Sequence, residues 1–161
     1  MLSVLAQATG SPADPQHVAE LVAALAAQTD PDWRLTLLAR GRRECARWRA
    51  IVADEAAGVA DRVTVERRGR RWRNPDAGEL LLRVDDVPLP HLVETVRPYL
   101  SGVRLQVVVQ DARRVRWPSG VMGWTLLGAP SLAAEDELVI VGGPTTQATP
   151  DPVLLRRRWI R

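Results

Sequence analysis

The sequence of 161 residues has no lysine and no phenylalanine, and it holds one cysteine, two histidines and one tyrosine. A single thiol, Cys45, excludes an internal disulfide and gives no hint of an oxidising compartment. With His17 and His91 as the only imidazoles, a structural His/Cys zinc cluster is excluded as well. The longest stretch without a charge, Trp117 to Ala134, is broken by Pro118, Gly120, Gly123, Gly128 and Pro130. It therefore falls short of the roughly 20 mainly apolar residues that a spanning helix needs. The first charge is Asp14, and Gln7, Gly10 and Pro12 interrupt the apolar start, which is not the pattern of a secretory signal. A soluble, cytoplasmic protein without a membrane span is the expectation.

What is present points to one globular unit. With 46% apolar residues, a chain of this size hides roughly 70% of its unfolded surface, so neither metal nor disulfide is needed for stability. All 22 basic residues are arginine, against 19 acids, for a net charge of +3. GC-rich coding would produce this arginine wealth together with the abundant Ala, Val, Leu and Gly, without selection for phosphate binding. Net charge alone names no partner, and the placement of the arginines is what carries information.

The pattern predicts strands at Ser3 to Ala8, Trp33 to Leu38, Val63 to Val65, Glu79 to Val84 and Val103 to Val109. Helices fall between them. His17 to Gln28 sets Val18, Leu21, Val22 and Leu25 on one stripe behind an Asp14 cap and Pro15. Arg42 to Ala57 aligns Cys45, Trp48, Val52 and Ala56 and ends at Gly58. A third helix starts near Pro90 with Leu92, Val93, Val96 and Leu100, cut short by Pro98. Such alternation implies crossover connections and a mostly parallel sheet. After Asp111 the rhythm fails: Arg113 to Trp117 and Val121 to Leu127 read as a hairpin, and Glu137 to Val141 as a strand. Gly142 to Pro152 reads as a loop and Val153 to Arg161 as a short helix. The expectation is a single domain over 1–161, with an α/β half at 3–110 and a shorter, irregular part at 111–161.

In an open parallel sheet, ligands bind beyond the carboxyl ends of the strands. The positions to inspect are thus Thr9-Gly-Ser11, Ala39-Arg40-Gly41 and Asp85-Asp86. None carries a Walker loop or a GxGxxG phosphate fingerprint. Adjacent carboxylates such as Asp85 and Asp86 suit a hard divalent cation that bridges to a diphosphate, and equally suit a turn or a helix cap. A second cluster, Arg62 to Arg73, gathers six arginines around Trp72. Together with Arg116-Trp117 and Arg158-Trp159 it makes nucleic-acid binding through phosphates and stacked bases an alternative to a solvated loop. His17 and His91, at helix starts, read as surface or capping groups.

Two phrases, Ala27-Gln-Thr-Asp-Pro-Asp-Trp-Arg-Leu35 and Gly78-Glu-Leu-Leu-Leu-Arg-Val-Asp-Asp-Val-Pro-Leu-Pro90, lie in order on these predicted elements. Over residues 3 to 100 the chain resembles the nucleotide-binding half of the large family-2 glycosyltransferases of GT-A fold. Pro152-Val-Leu-Leu-Arg-Arg-Arg158 is similar to the segment before that family's acceptor region. The resemblance implies an α/β, Rossmann-like GT-A type three-layer domain with a mostly parallel central sheet. It also implies a nucleotide-sugar or nucleoside diphosphate ligand and a divalent cation, Mn or Mg. Asp85 matches the last, metal-holding aspartate of the family's Asp-x-Asp, with Asp86 beside it as a second metal ligand. Arg83 stands where the first aspartate is expected, and Ala39-Arg40-Gly41 where the family shows Asp-Asp-Gly. Glu135-Asp136 precedes the Pro152 segment, whereas the family's catalytic base follows it. The nucleotide would then meet Thr9, Arg40, Arg83 and Asp85. Replacing acids by Arg40 and Arg83 removes metal ligands, and either the new guanidinium forks hold phosphate directly or the site has decayed and both arginines project into solvent. A glycosyltransferase relative without activity, or a non-catalytic nucleotide or anion-binding module, is expected.

Overall fold

A computed structural model describes residues 1–8, 14–56, 58–68, 79–100, 104–133 and 146–157. The β1 strand (Leu2–Gln7) is buried along nearly its whole length, as a strand inside a parallel sheet must be. The α1 helix (Pro15–Ala26) starts where Asp14 accepts a hydrogen bond from the Gln16 backbone N–H at 2.9 Å, with Pro15 supplying a preset first turn. Its stripe of Val18, Leu21, Val22 and Leu25 is fully buried. The β2 strand (Trp33–Ala39) and the α2 helix (Arg42–Glu55) follow, and Cys45, Trp48 and Val52 turn inward from α2. Gly41 offers no capping side chain, and Glu44 reaches back to the Arg40 N–H at 2.6 Å instead.

The β3 (Val63–Arg67) and β4 (Glu79–Arg83) strands complete a four-stranded parallel sheet in the order β3-β2-β1-β4. One of its faces carries Leu2, Val4, Ala6, Leu35, Leu37, Leu80 and Leu82, which join α1 and α2 in the main core. Leu5, Leu38 and Leu81, on the other face, form a smaller cluster. This sheet with its helices is α/β and compatible with a Rossmann-like fold.

The expectation of one mostly parallel sheet holds only for these four strands. The β5 (Asp86–Pro88), β6 (Arg104–Arg116), β7 (Met122–Leu126) and β9 (Thr146–Arg157) strands form a second, mixed sheet in the order β5-β9-β6-β7, with β8 (Ser131–Leu132) beside β6. Within it only β6 and β9 run parallel. The predicted strand from Val103 and the first arm of the predicted hairpin are one continuous strand, β6. The hairpin itself is present: β6 and β7 pair through a turn at Pro118 to Gly120, where Gly120 has φ +84°.

The region read as a loop and then a helix is corrected from Thr146 onward, where it is strand β9. Pro150 and Pro152 lack ladder N–H groups, and the β6–β9 register shifts on both sides of Val108 to accommodate them. Thr149 bridges the irregularity: its hydroxyl accepts from the Val108 N–H at 2.8 Å and donates to the Asp151 carbonyl at 3.1 Å. The strand predicted at Glu137 to Val141 lies outside the described residues. The α3 helix (Leu92–Val96) tightens into a 3-10 turn at Arg97–Tyr99, the early end that Pro98 predicts. No helix among the described residues is long and apolar enough to cross a membrane.

Candidate functional site

The strand order places a switch point between β1 and β4, because β2 and β3 lie on one side of β1 and β4 on the other. There Gln7 is opposite Arg83 across the β1–β4 pair, and the Val84 N–H donates to the Gln7 carbonyl at 3.0 Å. Arg40 follows β2 directly, and its Nη2 reaches the Ala8 carbonyl at 3.4 Å. Two arginines, one from the strand on each side of β1, thus flank its carboxyl end. Thr9 lies outside the described residues, as do Arg70 to Arg73 of the arginine cluster and Glu135-Asp136.

The two aspartates that follow β4 diverge into separate ion pairs. Asp85 accepts both arms of the Arg83 fork, Nε and Nη2, each at 3.2 Å. Asp86 opens β5 and accepts from Arg156 on β9 at 3.1 Å and 3.2 Å, with the Arg83 N–H adding a third bond at 3.1 Å. The Asp86 side chain is 1% exposed and that of Arg156 11%. Burial pushes the Asp86 carboxyl above its usual range, against the pull of Arg156 and the Arg83 N–H. A divalent cation needs open carboxylate oxygens, and every oxygen of this pair is already held by a guanidinium. As arranged, the residues expected to hold Mn or Mg do not fit it, and a cation there would have to displace Arg83 or Arg156. Among the described residues no group of three or more His, Cys, Asp or Glu gathers into a metal site. Asp86 and Arg156 are directly opposed across the β5–β9 pair, so their contact ties that sheet edge together.

His17, read as a surface group, is 7% exposed on the inner side of α1. Burial and then Arg157 lower its pKa, while Asp14, Asp85 and Glu20 pull the other way. One turn on, Glu20 pairs with Arg157 and lies 3.8 Å from Arg114. Both guanidiniums lie 5.0 Å from the centre of the Trp124 ring. The cluster joins α1 to β6, β7 and β9. Sequence reading missed it, because it looked for arginine beside tryptophan along the chain, whereas register brings Arg114 opposite Trp124 across two strands. From the arginine-rich segment, Arg62 turns away to lie 5.6 Å from the Trp33 ring and donates to the Pro31 carbonyl at 2.8 Å.

No family model matches the sequence, and no curated protein matches it. Among solved structures, the crystal structure of S. aureus TarS 1-349 is similar at 11% identity and a TM-score of 0.44. The match covers 69% of this chain and 36% of that one, so the chain spans about a third of that structure's length.

Proposed function

We propose that the chain is a glycosyltransferase-like binding module that takes a nucleoside diphosphate or nucleotide-sugar at the switch point without a divalent cation, and that it does not itself transfer sugar. The observation that carries this reading is the placement of Arg40 and Arg83 on either side of the end of β1. That is where an open parallel sheet presents its ligand site. The two ordered phrases around strands two and four support the same relationship. Asp85 engages Nε and Nη2 of Arg83 and so fixes the orientation of its fork at the end of β4. Arginine is always charged and grips diphosphate oxygens in pairs, which a cation otherwise does. A nucleic-acid partner has less behind it, since of its arginine segment Arg62 is turned to Trp33 and Pro31 and residues 70–73 lie outside the described residues.

Thermal melts against a panel of nucleoside diphosphates, with manganese or with a chelator, test the reading. A ligand that binds only the folded state stabilises it by about 2.7 kcal/mol at a hundredfold excess over Kd. The expected result is a stabilising diphosphate whose effect survives chelation and is lost in Arg40→Ala. No stabilisation by any member of the panel overturns it.

A further inference from the structure

A cavity of about 470 Å³ opens on the second sheet and is lined by none of Arg40, Arg83, Asp85 or Asp86. Its volume lies in the range of small-molecule sites. Period-two alternation sets its floor: Gln110 is opposite Leu155 across β6–β9, and Ala112 is opposite Leu126 across β6–β7, so Gln110, Leu126 and Leu155 share a face. Leu89 and Pro152 add apolar wall, and Leu126 remains 59% exposed, an apolar side chain left at the mouth.

Two side-chain acceptors are left open among the residues that line this cavity. The Gln110 side-chain nitrogen donates toward three carbonyls, Asp111 at 3.1 Å and Leu127 and Gly128 at 3.2 Å. Carbonyls only accept, so the amide orientation is settled, and its Oε1 receives no hydrogen bond from a described residue. His91 Nε2 is 3.1 Å from the Pro152 carbonyl, which only accepts, so that contact uses a ring N–H. Asp151 is exposed at the rim, and its carboxylate has no partner among the described residues. Although the chain has 22 arginines, none among the described residues lines the cavity.

An open, mainly apolar pocket with a carboxylate and an amide oxygen, and no arginine among its described lining residues, selects against anions and for a hydrogen-bond donor with positive charge. We propose that this cavity binds a small amine, its apolar body against Leu89, Leu126 and Leu155 and its protonated nitrogen at Asp151. The inference is independent of the nucleotide site, with which it shares no residue.

Three probes of one shape and different charge decide it: phenethylamine, phenethyl alcohol and phenylpropionate, each titrated into the whole chain and followed by NMR. Phenethylamine is expected to shift the Gln110 side-chain amide, the Leu126 methyls and the His91 ring saturably in the millimolar range, with phenylpropionate without effect there. Asp151→Asn changes an exposed side chain and should leave the fold intact. It is expected to weaken the amine about fivefold, as loss of a partly exposed ion pair does, and to bring amine and alcohol closer together. Equal binding of amine and carboxylate overturns the proposal, and so does an amine affinity unchanged in Asp151→Asn. Amine-induced shifts confined to Arg40 and Arg83 also overturn it.

Discussion

His17 and Asp86 are both buried titratable groups, and burial acts on them with opposite consequences. A histidine whose pKa in the fold lies below its ordinary 6.5 is preferentially neutral there, so the unfolded chain takes up its proton first as pH falls. Its contribution to stability is therefore complete above that value and drains away below it, down to the pKa in the fold. Asp86, raised by burial, binds its proton more tightly in the fold than unfolded, so acidification favours the fold at that residue. Because the two slopes oppose each other, a melt of the wild type alone cannot separate them. The difference between wild type and His17→Gln isolates the histidine. That difference is expected to shift toward the variant as pH is lowered from about 7.5 to about 5, since glutamine takes up no proton. A difference that stays constant across this range would show that His17 is not held neutral by the fold.

Elements are joined by a few polar side chains, and Gln28 shows how. It is 8% exposed just beyond α1, where its Nε2 donates to the Ala24 carbonyl at 3.0 Å and to the Leu89 carbonyl at 2.8 Å. Its Oε1 accepts from the Val93 N–H at 3.1 Å, so one amide closes the end of α1 and the first turn of α3 together. Gln28→Ala leaves those backbone groups unpaired, and we expect a loss of about 1–3 kcal/mol, read as a lower urea midpoint with an unchanged slope. Gln28→Leu should lose as much, because restoring apolar volume does not restore the bonds, and wild-type stability in both variants would refute the assignment. Local signals made α1 legible in the sequence: an Asp14 cap, a first-turn proline and a four-residue stripe that is buried as read. The placement of Arg40 and Arg83 at the carboxyl ends of β2 and β4 was legible, because the apolar runs of both strands stop there. Strand β9 was not, since Pro150 and Pro152 argue against a ladder, and the register shifts and the Thr149 hydroxyl that accommodate them involve Val108, far off in the sequence. Nor was the role of Asp86, whose partner Arg156 lies 70 residues away and belongs to no local pattern.

At the scale of the whole molecule, the second sheet fixes what the first can do chemically. Arg156 is carried by β9 into the position where it neutralises Asp86, and Arg83 does the same for Asp85 from the end of β4. Sugar transfer from a nucleotide diphosphate needs the departing diphosphate charge stabilised and a carboxylate to take the acceptor's proton. With both aspartates committed to guanidiniums, arginine remains for the first task, and the described residues present no open carboxylate at the switch point for the second. Loss of a single electrostatic contribution of this kind costs about 2.7–4 kcal/mol of transition-state stabilisation, so a weakened first and an absent second leave little rate. The purified chain, given radiolabelled nucleotide-sugars with manganese, is expected to release neither free sugar nor nucleoside diphosphate above background. Arg83→Ala sharpens the test, because it frees Asp85 and should let manganese bind more tightly while nucleoside diphosphate binding in chelator falls. Metal-dependent turnover in the wild type that vanishes in Asp85→Ala would overturn this account, since it would require Asp85 to leave Arg83 for a cation.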